Sequence, residues 1–242
     1  MPLPLQAQVA LVTGGAKGFG LGIAEKLRAA GARVWITGRD QAALDRAQAS
    51  GLSALRADAT SGADWDRVLA AVLQAAGRLD ILVNNAGGGV KIAATEEQTD
   101  ESIAAVLALN FTAAALGCRR VAPLMRKQGS GIIVNISSVA ARHAWPTWGT
   151  YGAAKAALDH FSRSLYLELR PHGVRVTTVV PSWGATEFTD AAGLGPRDAA
   201  TLAQCIKPSE IGQHVADICA LPPHLCVQET VLWPMVQEVS PL

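Results

Sequence analysis

The chain has 242 residues, half of them hydrophobic and 17% charged, which supplies a sizeable core and excludes a disordered chain. Twenty-one Lys and Arg stand against twenty Asp and Glu for a formal net charge of +1, and no basic run offers the cations that phosphate neutralisation by a nucleic-acid binder requires. With so little net charge, solubility depends on burying apolar surface between subunits, so a homodimer or homotetramer is expected.

From the N-terminus onward, short β-branched runs alternate with longer helical stretches. Strands are predicted over 8–13, 33–37, 53–57, 80–83, 131–136, 174–179 and 229–233, and helices over 19–30, 41–49, 63–76, 100–127, 150–170 and 209–221. This alternation is that of repeated βαβ units. It predicts an α/β protein: one doubly wound domain over 1–242, with a seven-stranded, mostly parallel sheet covered by helices on both faces. The stretch 182–207 is weakly patterned, and a long loop inside a compact domain is usually functional, so a substrate lid is expected over 186–207. Right-handed crossovers and a reversal of strand order place a ligand crevice at the carboxyl ends of the strands.

The first apolar stretch lacks a preceding basic region and runs straight into glycines, so it reads as a strand and not as a signal peptide. No uninterrupted apolar run reaches the roughly 18–20 residues that span a bilayer. No membrane partner and a cytoplasmic location are therefore expected. Cys118, Cys205, Cys219 and Cys226 lack metal or redox spacing and read as small core or surface thiols, so no metal site is expected.

Between the first strand and first helix lies Thr13-Gly14-Gly15-Ala16-Lys17-Gly18-Phe19-Gly20. Glycines there permit a tight turn and close backbone approach, and the unpaired N–H groups and dipole of the helix start attract a pyrophosphate. Downstream come Asn84-Asn85-Ala86-Gly87 after the fourth strand, Asn110 in the long fourth helix and Ser138 after the fifth strand. Tyr151-x-x-x-Lys155 opens the next helix, a spacing that projects both side chains from one face. A free phenol has a pKa near 10, so a neighbouring ammonium is expected to favour the phenolate and let Tyr151 exchange a proton near neutral pH. At the end of the second strand stands Gly38-Arg39, where a carboxylate would bind the ribose hydroxyls of NAD; Arg39, aided by Lys17, can instead pair with a 2′-phosphate. Arg39 and Lys17 as solvated cations, with Asp40 in the NAD-type role, is the other reading of these residues.

These motifs, in this order, resemble the short-chain dehydrogenase/reductase family, whose fingerprint Gly14-x-x-x-Gly18-x-Gly20 matches in spacing. The resemblance implies a Rossmann-type fold and an oxidoreductase moving a hydride between NADP(H), with NAD(H) as second choice, and a carbonyl or secondary alcohol. It implies that Tyr151 protonates the substrate oxygen, Lys155 binds the nicotinamide ribose, Ser138 donates a hydrogen bond to the substrate and Asn110 supports a water-linked proton path. It implies cofactor contacts from Gly14, Lys17, Gly18, Phe19, Gly20, Arg39, Asp58, Ala59, Asn85, Ala86, Gly87, Pro181, Gly184 and Thr186. Taken singly, Asp58 reads equally as a helix cap, Asn110 as a hydrogen bonder in a helix bend, Ser138 as a turn residue, and Asn84 to Gly87 as a structural turn.

Two stretches depart from the family pattern. Pro181-Ser182-Trp183-Gly184-Ala185-Thr186 has Ser182 and Gly184 where a glycine and a branched apolar residue are usual, which alters packing around the nicotinamide carboxamide. The C-terminal stretch lacks the Asp-Gly-Gly that supports a tetramer in many members, leaving the long helices around Asn110 and Tyr151 as a dimer face. Trp145, Trp148, Trp183 and Phe188 flank the catalytic and lid segments and suggest an apolar substrate pocket, or else core and subunit contacts. His143 reads as a substrate contact or a solvated loop histidine, and Arg197 and Lys207 as solvated. The competing functions are an NAD-linked polyol or hydroxy-acid dehydrogenase and, from another class, a nucleotide-sensing or scaffold protein, which needs no Ser138, Tyr151 and Lys155 together.

Overall fold

The computed structural model describes residues 4–88, 92–195 and 197–238. In chain order its elements are β1 (Val9–Thr13), α1 (Gly18–Ala29), β2 (Arg33–Gly38), α2 (Gln41–Ala49), β3 (Ser53–Arg56), α3 (Gly62–Ala76) and β4 (Ile81–Asn84), then α4 (Asp100–Leu107), α5 (Ala113–Gln128), β5 (Gly131–Ile136) and α6 (Gly149–Leu169). They close with β6 (Val174–Pro181), α7 (Phe188–Ala191), α8 (Ala199–Gln204), α9 (Pro208–Cys219) and β7 (Glu229–Leu232). Among the described residues seven strands form one sheet in the order β3-β2-β1-β4-β5-β6-β7. Each neighbouring pair is parallel, including β7, so the sheet is parallel throughout and not merely for the most part.

Strand alternation builds the two layers. Ala10 and Val12 join Val34, Ile36, Ile81 and Val83 under α1, α2 and α9, whereas Val9 and Leu11 join Leu82, Ile133 and Val176 under α3, α5 and α6. Both faces being covered, β1 and β4 are buried along their whole length, which is why they read as continuous apolar runs. On the first face α1 and α9 cross at a pair of glycines: a Cβ on Gly22 would overlap the Pro208 carbonyl, and one on Gly212 would overlap the Gly22 carbonyl. The sheet order reverses between β1 and β4, which opens the crevice where the glycine loop leaves β1.

Several boundaries move for local reasons. β4 begins after Asp80, whose carboxylate is taken by Arg78 and by the Val9 N–H at 2.9 Å. β7 stops before Trp233, next to Pro234, which has no N–H for a ladder. The helix predicted over 100–127 is two helices joined by a π turn at Ala108–Thr112. The cause is visible at Asn110, whose amide donates to the Val106 carbonyl at 3.1 Å and accepts from the Gly88 N–H at 2.7 Å. The 182–207 stretch contains α7 and α8, and a bridge between Gly184 and Ile206 closes it into a compact excursion.

The helical run Asp100–Gln128 is, among the described residues, long and apolar enough to cross a membrane, although no such run was expected from the sequence. Its Cys118, Val121 and Met125 are fully buried against the sheet. Cys118, Cys205 and Cys219 are buried free thiols and Cys226 is partly buried.

Candidate active site

A cleft of about 900 Å³ runs across the carboxyl ends of the strands. One end is the glycine loop. Gly14 and Gly18 have positive φ, +63° and +50°, a conformation that L side chains rarely adopt. A Cβ on Gly15 would lie 2.6 Å from Ile36, and one on Gly20 would overlap the Gly14 carbonyl and the Asn85 amide. Gly20 therefore serves packing behind the loop and does not reach the cleft wall. Helix α1 has neither a side-chain cap nor an acid in its first turn, whereas α2, α3 and α8 are capped by Asp40, Ser61 and Asp198. Its first N–H groups thus remain available at the cleft, a donor set and dipole suited to a pyrophosphate.

Asn85 holds this end to its neighbour: its amide donates to the Thr13 carbonyl at 3.0 Å, and the Thr13 hydroxyl accepts from the N–H groups of Asn85 and Ala86 at 3.1 Å each. Asn85, Ala86 and Gly87 line the cleft. Asn84 is buried beneath, donating to Asn135 at 2.8 Å.

The charges at this end are arranged differently from the sequence expectation. Lys17 pairs with Asp40 at 2.9 Å and Glu187 at 3.6 Å, so its charge is already answered. The hydrogen bond raises the Lys17 pKa and lowers that of Asp40. Asp40 is committed to that pair and to capping α2. Arg39 lines the cleft with its side chain 72% exposed, and among the described residues its ion-pair partner is Asp58, at 3.9 Å. Asp58 and Ala59 lie outside the main cleft, in a small recess with Trp65. The Asp58 carboxylate accepts from the Thr60 N–H and hydroxyl at 2.9 and 2.7 Å, and the cap of α3 passes to Ser61. The helix cap expected of Asp58 is thus made by Ser61 instead.

At the other end α6 presents Tyr151 and Lys155 from one face, both buried and both on the cleft wall. The Lys155 ammonium lies 5.9 Å from the Tyr151 ring centre and donates to the Ile136 carbonyl at 2.9 Å. Burial pushes the Tyr151 phenol up to about 12, opposed by the nearby Ser138 hydroxyl, and pushes Lys155 down to about 8, opposed by Asp159. The phenol therefore stands above its ordinary value, with burial and not a neighbouring charge setting the direction. Ser138 lines the cleft and turns the chain by accepting from the Ala140 N–H at 3.2 Å.

Asn110 and His143 do not reach the wall. Both polar atoms of the Asn110 side chain are engaged within the protein, and a Cβ on Gly87 would sit 3.1 Å from both Asn110 Oδ1 and Lys155 Nζ. The helix-bend reading of Asn110 holds, with one donated and one accepted bond fixing its side chain behind the wall. His143 packs edge-on against Trp233 with ring centres 5.4 Å apart. Trp145, Trp148, Trp183 and Phe188 do line the cleft. The Trp148 and Phe188 rings stack at 6.2 Å, and each meets Tyr151, at 5.6 and 5.7 Å.

Pro181, Gly184 and Thr186 are also on the wall, and a Cβ on Gly184 would overlap the Phe19 ring. Ser182 is held from the C-terminal side: its hydroxyl donates to the Gln237 amide oxygen, which also accepts from the Trp183 N–H at 3.3 Å. Gln237 and Glu238 therefore wall the cleft, which nothing local in the sequence announces. Arg197, expected in solvent, lies over the Trp183 ring at 4.6 Å and also lines the cleft. Among the described residues no group of three or more His, Cys, Asp or Glu is placed to hold a metal.

A family profile described as short chain dehydrogenase matches residues 8–195. This chain belongs to that family. The short-chain dehydrogenase is 33% identical over 241 residues to dehydrogenase/reductase SDR family member 4 of Oryctolagus cuniculus, covering 95% of this chain and 93% of the relative. A metagenomic short-chain oxidoreductase in complex with NADP superposes with a TM-score of 0.80 at 32% identity over 97% of this chain and 100% of the other. A serine dehydrogenase in its closed form with NADP+ reaches 0.90 at 28% identity over 97% and 98%. The short-chain dehydrogenase is accordingly an oxidoreductase on the fold of nicotinamide-dependent enzymes.

Proposed function

We propose that this short-chain dehydrogenase is an NADP(H)-dependent carbonyl reductase, reversible as an alcohol dehydrogenase, for a small or medium uncharged and mainly apolar substrate. The observation that carries the reading is the Tyr151–Lys155 pair, on the cleft wall directly beside the stacked Trp148 and Phe188 rings. The α1 N-terminus and glycine loop would hold the pyrophosphate, Arg39 would meet the 2′-phosphate, and Pro181, Gly184 and Thr186 would border the nicotinamide. The bound nicotinamide supplies or accepts the hydride.

Tyr151 hands the proton of its hydroxyl to the carbonyl oxygen. A phenol raised to about 12 is fully protonated at neutral pH, which suits the donor role, and the cation at Lys155 stabilises the phenolate that forms. Ser138 donates a hydrogen bond to the same oxygen, and the aromatic walls exclude water and orient the substrate. The excursion over 186–207 acts as the lid, tied to the glycine loop through Lys17 and Glu187. NADP in the two structural relatives supports the cofactor choice. Exposed Leu107 and Leu167, on the helices expected to form the dimer face, support a homo-oligomer.

The test is a panel of ketones and aldehydes followed by loss of reduced-nicotinamide absorbance. Turnover is expected with NADPH. Tyr151→Phe reduces it at least about a hundredfold, the scale of a general acid, and leaves cofactor binding in place. A variant with unchanged turnover overturns the assignment.

A further inference from the structure

One titratable group on the same face of α6 has no part in that scheme. Asp159 follows Lys155 by four residues as Lys155 follows Tyr151, so the three side chains form a stripe along the helix. Asp159 is only 4% exposed, and its Oδ1 has no hydrogen-bond partner. Its nearest cation is Arg142, whose Nε lies 3.8 Å from Oδ2. Such a site is expensive for a carboxylate, and Asn or Leu would fill it at less cost. Lys155, 4% exposed, is equally dry, and its one hydrogen bond is to a neutral carbonyl.

We propose that Asp159 is a positioning residue of this site, the buried counter-ion that keeps Lys155 protonated inside the cleft wall. This rests on the reading of Lys155 given above. The groups facing Asp159 come from three elements besides its own. Lys155 and Arg163 flank it on α6. Arg142 reaches it from the turn after β5, Glu229 stands on β7, and Ser137 directly follows β5. Arg142 also pairs with Glu229 at the surface, and Arg163 lies 3.9 Å from the same carboxylate. Burial raises the Asp159 pKa; Ser137, Arg142 and Arg163 act against it, and Glu229 acts with it. Ser137 is near enough to favour the carboxylate but not in hydrogen-bonding geometry, since its hydroxyl has no partner. Arg142, its side chain 30% exposed, is the nearest cation that favours the carboxylate against burial, and through Asp159 it favours the proton on Lys155.

The experiment reads Lys155 directly. In the full chain with carbon-labelled lysine, the Lys155 resonance is the one missing in Lys155→Met, and its titration needs no substrate. The wild-type midpoint is expected at about 8. Asp159→Asn should lower it by about one unit or more, the usual effect of removing a close opposite charge. Arg142→Met, which leaves the carboxylate in place, should lower it by a smaller step. In both variants the alkaline limb of the pH–rate profile for reduction should move down with the midpoint, which a merely structural role of Asp159 does not require. An unmoved midpoint in folded Asp159→Asn overturns the proposal; if that variant does not fold, an unmoved midpoint in Arg142→Met does so. A shifted midpoint in a protein without reductase activity would keep the counter-ion and sink the reductase.

Discussion

Arg39→Asp tests the choice of dinucleotide, because the two cations assigned to a 2′-phosphate are held so differently. Lys17 is engaged by Asp40 and Glu187, while Arg39 extends into the cleft mouth with its nearest carboxylate at 3.9 Å. Two unit charges 4 Å apart in water are worth about 1 kcal/mol, and a phosphate monoester carries nearly two charges. Removing the guanidinium therefore costs about 1–2 kcal/mol, and placing a carboxylate there costs about as much again. Screening at so exposed a site trims the sum to about 2–3 kcal/mol, roughly 30- to 150-fold in kcat/KM for NADPH. NADH, lacking the phosphate, should change by less than about threefold, the scale of an exposed charge contact. The assay is initial rates with both cofactors on one ketone, for wild type and variant. An NADPH-to-NADH ratio within about twofold of wild type would refute the reasoning.

Other perturbations follow from the same geometry. Lys155 is held at about 8, below its ordinary 10.5, so between these values the unfolded chain binds the extra proton and stability rises with pH. Urea titrations across that window should show the rise in wild type and lose it in Lys155→Met. Tyr151, held up at about 12 against 10.0, acts oppositely, and stability should fall as pH climbs from 10 towards 12. Gly22→Ala drives a methyl into the Pro208 carbonyl where α1 crosses α9; urea denaturation should show a loss of about 1–3 kcal/mol, the usual range for overpacking, or more. Phe188→Ala removes a ring packed on Trp148 and Tyr151. KM for aryl ketones should rise roughly tenfold, as for loss of an apolar contact, with little change for the smallest aliphatic ketone; equal effects on both would argue against an aromatic substrate wall.

The legible parts of the site were those in which a local pattern and a chemical need coincide. The glycine loop, Asn85 to Gly87 and the Tyr151–Lys155 pair each sit at a strand end or on one helical turn, so spacing alone brings them to the crevice. What local pattern does not show has a common source in partners distant along the chain. Lys17 lines the cleft as its place in the glycine loop implies, but its ion pairs are not legible there, because the carboxylates come from Asp40, beyond β2, and from Glu187. Arg197 was placed in solvent because Trp183 lies fourteen residues earlier, across a closed excursion. Gln237 was passed over because its partner Ser182 is 55 positions away. Asn110 reads from spacing as one residue of a long helix, and its place in a π turn is set with the help of the Gly88 N–H, 22 positions away.

Sequence periodicity alone determined the α/β class, the sheet's strands and the place of the crevice, since alternation and helical spacing are local consequences of backbone geometry, while the family came from the resemblance of ordered motifs. Tertiary structure decided the electrostatics. Whether a cation is free or answered, and whether a phenol is lowered by an ammonium or raised by burial, depends on water excluded and charges gathered from distant segments. Those sums over space have no counterpart in any single stretch of chain.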